Sequence, residues 1–307
     1  MLPTIWDQLS PIPNSQGIPT GGYFFRDLPF LGLWGTKYLP FWRPFYTGED
    51  NVVGIPPSAL QASFIDTVAA GELPDVSFVD PAFDTEGNGT SADDHPVADI
   101  RLGERFIADA YHALANAGYL DSTALIICFD EWGGFYDHVA PPQVTDDTDP
   151  STVDHTGDTP TLGQSVPDYT QLGFRVPAIV VSTYAAPKVV STGPFEHCSN
   201  LAFIESTFGL TPLTARDANA LDIGQVLGSK SIPLSVRGTI PASSDVDGPD
   251  NDADAACTAA SVQSVSPAPV TAGSGKKNSA VLATSGYPSG SGMANLAQQY
   301  QASAASS

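Results

Sequence analysis

Residues 124–142, with the sequence ALIICFDEWGGFYDHVAPP, decide the fold that we predict for this chain. The stretch begins with six apolar residues, a pattern typical of a strand buried on both faces of a parallel sheet. The apolar run stops at two adjacent carboxylates, Asp130 and Glu131, and a Gly133-Gly134 turn follows. Because ligands of open α/β sheets bind beyond the carboxyl ends of the strands, we expect the acidic pair to lie at a binding edge.

Asp130 and Glu131 need a partner for their negative charge. Two carboxylates beside apolar backbone are unfavourable unless a proton or a cation neutralises them, and a divalent metal ion is the simplest partner. Carboxylate oxygens suit Ca²⁺, Mg²⁺, Mn²⁺ or Zn²⁺, and the sequence does not choose among them. A solvated pair of loop carboxylates is the alternative, and the spacing alone leaves both interpretations open.

Composition narrows the class of protein. The chain has 307 residues, 42% of them hydrophobic, which is enough for one large α/β domain or two smaller ones. Its formal charge of -22 repels phosphate backbones, so we expect no nucleic-acid partner. Cys128, Cys198 and Cys257 have no metal-finger spacing, and we expect Cys128 to pack as a small apolar residue within its strand. No apolar stretch reaches the length of a transmembrane helix.

Helices and strands are predicted along most of the chain. Residues 1–56 are rich in aromatic residues, proline and glycine without a regular period, which predicts packed irregular loop with a short helix near Thr4–Leu9. Apolar spacing and capping residues then predict, in order, helix 58–70, strand 76–79, helix 96–117, strand 124–129, strand 176–182 and helix 199–208. This order favours a parallel or mostly parallel sheet with helices on its faces.

Two stretches are predicted to lie outside the packed α/β structure. Residues 143–172 are polar and acidic, which is typical of a long excursion over the surface. Residues 243–307 are first acidic and then rich in Ala, Ser, Gly and Pro, with few apolar anchors. We therefore predict one domain over residues 1–242 and a disordered tail over residues 243–307.

The motif FDEWGGFYDHVAPP resembles the phosphoesterase family that includes microbial phospholipases C and acid phosphatases, relatives of the alkaline phosphatase superfamily. Further stretches look similar to the family in the same order: TIWDQL, PDVSFVDP, DDHPVADIRLGERFIADAYHAL, GFRVPAIVVSTYA and EHCSNLAFIESTFGL. Together they span roughly residues 4–220. The resemblance implies an α/β fold like the alkaline phosphatase core, and a metal-assisted hydrolysis of phosphate esters.

The resemblance also implies roles for individual residues. Asp130 and Glu131 match the acidic pair with which the family binds a divalent metal ion. His95 matches a family histidine at the phosphate site, and His138 and His197 lie in family motifs. We predict catalytic roles for His95 and His138, and substrate binding for His95 and His197. The residues alone leave a loop or capping role open for His95 and a structural role in the turn open for His138.

One family feature is missing from this sequence. Members carry an acidic-plus-Asn metal pair near the N-terminus and a Ser or Thr nucleophile after it, and neither is found here. We therefore expect a chain truncated at its N-terminal side. The expected function is hydrolysis of phosphate monoesters or phospholipid diesters. The alternatives are a non-catalytic remnant that keeps the fold, with or without a bound ion, and, less favoured, an acidic metal-binding or interaction module.

Localisation follows only from the family. The resemblance implies secretion, although the first residues lack the basic start and apolar run of a signal peptide. The sequence does not indicate an oligomeric state.

Overall fold

The computed structural model of the chain describes residues 3–47, 62–86, 89–96, 98–147, 170–185 and 194–228. The strands in these ranges are β1 (Gly21–Phe25), β2 (Trp42–Pro44), β3 (Val76–Asp80), β4 (Leu125–Cys128) and β5 (Ala178–Val181). The α-helices are α1 (Phe64–Ala70), α2 (Ile100–Asn116), α3 (Cys198–Phe208) and α4 (Ala215–Asn219). Short 3-10 helices include Ile5–Gln8, Phe30–Trp34, Leu39–Phe41, Tyr119–Asp121 and Ile223–Val226.

A parallel sheet with the strand order β2-β1-β3 forms the centre of the fold. The predicted irregular loop over residues 1–56 is therefore wrong where β1 and β2 lie. The sequence GGYFF of β1 does not alternate between apolar and polar residues because every one of its residues is buried. Gly22 allows close packing, since a Cβ there would lie 2.9 Å from both the Phe24 ring and the Pro74 side chain.

The aromatic residues of β1 fill a core on each face of the sheet. Tyr23 and Phe25 point to one face, where the core includes Trp6 and Trp42 and is covered in part by α3. Phe24 points to the other face, where α1 and α2 cover a second core that contains Phe45 and Phe64 among others. Successive side chains of a strand alternate between faces, so three consecutive aromatic residues can serve both cores.

The helices begin and end at recognisable caps. Ser63 caps α1 by accepting a hydrogen bond from the backbone N–H of Asp66, and the helix ends at Gly71 in the left-handed region. The cap that we predicted, Ser58, lies outside the described residues. Helix α2 begins at Ile100 rather than at Pro96, because the side chain of Asp99 provides its cap.

Strand β4 differs from the prediction in its pairing. It pairs antiparallel with β5, placing Ile127 opposite Ile179, and no other described strand pairs with it. Its residues are partly exposed, and Cys128 is exposed rather than packed as a small apolar residue. An apolar run predicts that a strand is buried, but it does not indicate whether the neighbouring strand runs parallel or antiparallel. The sequence therefore could not distinguish this antiparallel pair from a parallel one.

The predicted fold class is nevertheless confirmed, because the described residues form a parallel sheet flanked by helices. The ends of the acidic excursion lie side by side, with a hydrogen bond of 2.7 Å from Val144 N to the Thr170 carbonyl oxygen. The predicted tail, residues 243–307, lies outside the described residues. Within the part of the chain that the structure describes, no helix is long and apolar enough to cross a membrane.

Candidate functional site

Two carboxylates at the carboxyl ends of strands β3 and β4 interact electrostatically. Asp80 is the last residue of β3, and Asp130 follows β4 by two positions. Burial raises the pKa of Asp80 to about 7, and the negative charge of Asp130 raises it further. The hydroxyl group of Tyr23, on β1, donates a hydrogen bond to Asp80. Asp80 is therefore a carboxyl group that exchanges its proton near neutral pH beside a second carboxylate.

The loop after β3 adds two further acidic residues. Burial raises the pKa of Glu86 to about 7, and its hydrogen bond with Asp93 and the nearby charge of Asp130 act in the same direction. We call the group formed by Asp80, Glu86, Asp93 and Asp130 the acidic edge. Raised pKa values such as those of Asp80 and Glu86 are typical of carboxyl groups in functional sites.

His95 lies beside the acidic edge. Its backbone N–H donates a hydrogen bond of 3.1 Å to the side chain of Asp93, and its electrostatic interaction with Glu86 lowers the pKa of Glu86. The side chain is exposed, with Nδ1 3.2 Å from the carbonyl oxygen of Pro96. Asp94, just before it, holds the left-handed conformation with a φ of 64°. The predicted substrate-binding histidine thus stands at the acidic edge with its ring open to solvent.

His197 approaches the same edge from the start of α3. Its Nε2 atom lies 2.8 Å from the carbonyl oxygen of Phe129, at the end of β4. Its hydrogen bond with Cys128 raises the pKa of His197 to about 9, and the bond to Phe129 and the charge of Asp130 contribute. At neutral pH this ring is an imidazolium. It supplies positive charge next to Asp130.

Glu131 is directed towards its own loop. Its Oε2 atom accepts a hydrogen bond of 2.7 Å from the backbone N–H of Gly133. Asp130, in contrast, acts on the pKa values of Asp80, Glu86 and His197. Asp130 therefore interacts with other members of the acidic edge, whereas Glu131 makes its hydrogen bond within the turn that follows β4.

His138 lies on an exposed part of the same loop. Its side chain is 80% exposed, and Nδ1 is 3.6 Å from Oδ1 of Asp137. Asp137 binds the guanidinium group of Arg175 at 2.8 Å and 2.9 Å, which holds the pKa of Asp137 well below its usual range. Among the predicted site residues, His95, His197 and Asp130 are thus linked through the acidic edge, and the contact of His138 is with Asp137.

The described residues do not assemble a metal centre on their own. No three His, Cys, Asp or Glu side chains among them are arranged to hold a metal ion. Asp80 and Asp130 supply two carboxylates, fewer than the coordination of Ca²⁺ or Zn²⁺ requires. A metal ion bound by Asp130 and Glu131 therefore stays a prediction.

Asp80, Glu86 and Asp93 are the members of the acidic edge that sequence reasoning missed. The signal for Asp80 was present, because it ends the apolar strand VSFVD in the same way that Asp130 follows β4. Glu86 lies in a polar loop rich in acidic residues. Nothing in that pattern separates Glu86 from its solvated neighbours.

Comparison with known proteins identifies the family of the chain. The sequence profile of the Phosphoesterase family matches residues 46–211, which is more than half of the chain and includes the acidic edge and all five predicted site residues. The chain is 35% identical over 176 residues to non-specific phospholipase C6 of Arabidopsis thaliana, covering 54% of this chain and 32% of that relative. It is 36% identical over 166 residues to phospholipase C B of Mycobacterium tuberculosis, covering 52% of this chain and 30% of that relative.

A longer match extends over more of the chain. Non-specific phospholipase C4 of Arabidopsis thaliana is 29% identical over 260 residues, covering 77% of this chain and 43% of that relative. The chain therefore spans about a third of the length of the first two relatives and less than half of this one. On the match of the family profile, the chain belongs to the Phosphoesterase family.

Proposed function

We propose that this protein hydrolyses phosphate esters at the acidic edge, with the phosphodiester of a phospholipid as the favoured substrate class. The observation that carries the proposal is that the charge of Asp130 acts on both Asp80, at the end of β3, and His197, which contacts the end of β4. The names of the relatives, which are phospholipases C, support the substrate class.

The charges of the site suit this chemistry. A phosphodiester is an anion, and most of this protein is negative, so a substrate needs local positive charge. The imidazolium of His197 supplies it, because its pKa of about 9 keeps the ring protonated at neutral pH. His95 presents a second, exposed imidazole beside Glu86, and we propose that it contacts a phosphoryl oxygen.

Proton transfer is assigned to Asp80. A general acid or base works best when its pKa lies near the working pH, and burial brings the pKa of Asp80 to about 7. The hydrogen bond from Tyr23 fixes the orientation of this carboxyl group. We propose that Asp80 exchanges a proton with the reacting group, while His138 keeps its predicted catalytic role on the exposed loop as a separate proposal.

A divalent metal ion is proposed on the family resemblance, with Asp130 and Glu131 as ligands. Such an ion would stabilise negative charge on the phosphoryl oxygens. Isothermal titration with Ca²⁺, Mg²⁺, Mn²⁺ and Zn²⁺ tests this ligand role directly. The Asp130→Asn variant should lose metal affinity while it keeps its fold, and an unchanged affinity would refute the role of Asp130.

The hydrolysis test compares p-nitrophenyl phosphate, a monoester, with bis-p-nitrophenyl phosphate, a diester, each with and without a chelator. We expect Asp130→Asn and His95→Ala to lower kcat/KM by about 100-fold or more. Asp121→Asn is the matched control, because Asp121 is exposed in the 3-10 helix Tyr119–Asp121, outside the acidic edge. Equal activity of Asp130→Asn and the wild type would contradict the proposal.

A non-catalytic remnant of the family is the second candidate. The observation in its favour is that the described residues do not assemble a three-ligand metal site. The same assay separates the two candidates. A folded protein that hydrolyses neither ester would support the remnant, whereas chelator-sensitive turnover would support the metal-assisted enzyme.

An extracellular location is proposed on the family resemblance alone. Immunodetection of the protein in culture medium and in washed cells tests this location.

A further inference from the structure

We propose that an exposed aromatic surface beside the acidic edge docks on a zwitterionic lipid bilayer. The surface consists of Trp132, Phe135, Tyr136, Val176 and Pro177, and we call it the aromatic surface. Together with Asp137 and Arg175, these residues line a cavity of about 460 Å³ that opens to solvent. The inference rests on the proposed function, since it concerns how the protein reaches a phospholipid.

The three aromatic side chains of this surface are exposed to solvent. Phe135 is 69% exposed, Tyr136 is 87% exposed and Trp132 is 40% exposed. Large aromatic residues dominate the energetics of cores and interfaces, and contiguous exposed apolar patches mark interaction sites. Three such residues within five positions of one loop therefore indicate a surface that contacts something apolar.

The loop that carries the aromatic surface is held in place. The indole ring of Trp132 packs edge-on against Phe174, with 4.9 Å between ring centroids. The backbone N–H of Phe135 donates a hydrogen bond of 3.2 Å to the Trp132 carbonyl oxygen, which closes the turn. The Asp137–Arg175 ion pair ties the far side of the loop to the segment that leads into β5. These contacts hold the loop, and the aromatic side chains that it carries, in defined positions.

Charge selects the kind of surface that can dock here. Within the cavity lining, Arg175 is the one cationic residue, and its charge is balanced by Asp137. The whole chain carries a formal charge of -22, so an anionic bilayer would repel it. A zwitterionic bilayer does not impose that repulsion. Trp and Tyr rings suit its interface because each combines an apolar body with a polar group.

The position of the aromatic surface matches the proposed chemistry. Trp132 follows Asp130 by two residues, so the aromatic surface is joined to the acidic edge by a short stretch of chain. A lipid whose headgroup reaches Asp130 would have its acyl chains on the side of the aromatic surface. Side chains that insert a few ångströms into the headgroup region would hold the protein at the bilayer without crossing it.

The test uses the full chain and vesicles of phosphatidylcholine, or of equal parts of phosphatidylcholine and phosphatidylglycerol. We expect the wild type to float with phosphatidylcholine vesicles. Phe135→Ser combined with Tyr136→Ser should reduce the bound fraction at least about ten-fold. Ile12→Ser combined with Leu33→Ser is the matched control, because these apolar side chains are 60% and 48% exposed outside the aromatic surface. This control should bind as the wild type does.

Tryptophan fluorescence provides a readout that needs no variant. Of the four tryptophans, Trp6 and Trp42 are buried, Trp34 is half-buried and Trp132 is exposed, so vesicles of brominated phosphatidylcholine should quench mainly Trp132 in the wild type. Trp132→Phe keeps an aromatic side chain but removes the indole fluorophore, so it should remove most of this quenching. Quenching that persists in Trp132→Phe would overturn the inference.

Other outcomes also overturn the inference. It fails if the wild type does not bind phosphatidylcholine vesicles, if both double variants bind equally, or if vesicles with phosphatidylglycerol bind more tightly. It also fails if light scattering shows that the aromatic surface instead joins two copies of the chain, with no vesicle binding.

Failure of the inference is distinguishable from failure of the proposed function. Hydrolysis of bis-p-nitrophenyl phosphate by the wild type measures chemistry without a bilayer. Turnover of this soluble ester without vesicle binding refutes the docking surface alone. Vesicle binding without turnover refutes the proposed function and leaves the docking surface standing.

Discussion

The imidazole ring of His197, at the start of α3, lies 2.8 Å from the carbonyl oxygen of Phe129, at the end of β4. This contact joins two segments that are 68 residues apart in the chain. The neighbouring Cys128 side chain also interacts with the ring, and this interaction is the largest cause that raises the pKa of His197 to about 9. The stabilisation from the protonated ring is fully present below pH 6.5 and is lost as the pH rises to about 9.

Removing the thiol group should lower the pKa of His197. In Cys128→Ala the largest cause of the raised pKa is absent, so the pKa should move towards the ordinary value of 6.5. An NMR titration of the imidazole protons measures this shift. Cys198→Ala is the matched control and should leave the His197 titration unchanged. An unaltered pKa in Cys128→Ala would show that Cys128 does not support the protonated ring.

Glu205, on α3, should make the protein more stable in mild acid. The residue is 4% exposed, and burial, followed by its hydrogen bond with Asp217, raises its pKa from 4.5 to about 7. The native state therefore holds its proton more tightly than the unfolded chain does. This contribution to the free energy of unfolding is fully present below pH 4.5 and falls as the pH rises to about 7.

The variant Glu205→Gln should remove that part of the pH dependence, because the amide does not titrate. Urea midpoints at pH 5 and pH 7.5 measure the effect, and the difference between them should shrink in the variant. Glu104→Gln, at an exposed position of α2, is the matched control. The prediction is wrong if both variants retain the difference of the wild type.

Gly103 should be required for the loop that carries His95. A Cβ at position 103 would lie 2.7 Å from Cγ of Asp94 and 3.1 Å from the carbonyl oxygen of Ala92. Alanine gains about 1 kcal/mol of helix propensity over glycine, yet this overlap should make Gly103→Ala less stable by about 1–3 kcal/mol. Chemical denaturation measures the change in the free energy of unfolding.

A double-mutant cycle isolates the contact between Gly103 and Asp94. Asp94 has a φ of 64°, a conformation that glycine adopts without strain. Asp94→Gly should therefore restore much of the stability lost in Gly103→Ala, since it removes the overlapping side chain. Additive effects of the two substitutions would contradict the proposed overlap.

Tyr23→Phe should reveal the charge on Asp80. The variant removes the hydroxyl group that donates to this carboxyl group, and we expect a loss of about 1–2 kcal/mol in the free energy of unfolding. The loss should be larger above pH 7, where Asp80 is ionised, because hydrogen bonds to charged groups are stronger. Denaturation at pH 5.5 and pH 8.5 measures both values, with Tyr184→Phe as the control. Equal losses of stability at both pH values would contradict the ionisation of Asp80 between them.

Much of the fold could be predicted because its signals are local. The strand 76–79 and the helix that ends at Gly209 are observed almost as predicted, since apolar spacing and a glycine in the left-handed region mark them. Strand β1 escaped prediction because it is buried on both faces and too short to show a period. The direction of β4 escaped prediction because an apolar run carries no information about its partner.

The sequence by itself determined the family of this chain, its acidic charge, and the carboxylates that mark the ends of two strands. Only the tertiary structure decided that Asp80 and Asp130, fifty residues apart, interact electrostatically, and that His197 reaches the end of β4. The reason is physical: helix periods and caps act over a few residues. Strand pairing, burial and the pKa shifts that follow from burial depend on contacts between distant segments, and a local pattern does not encode these contacts.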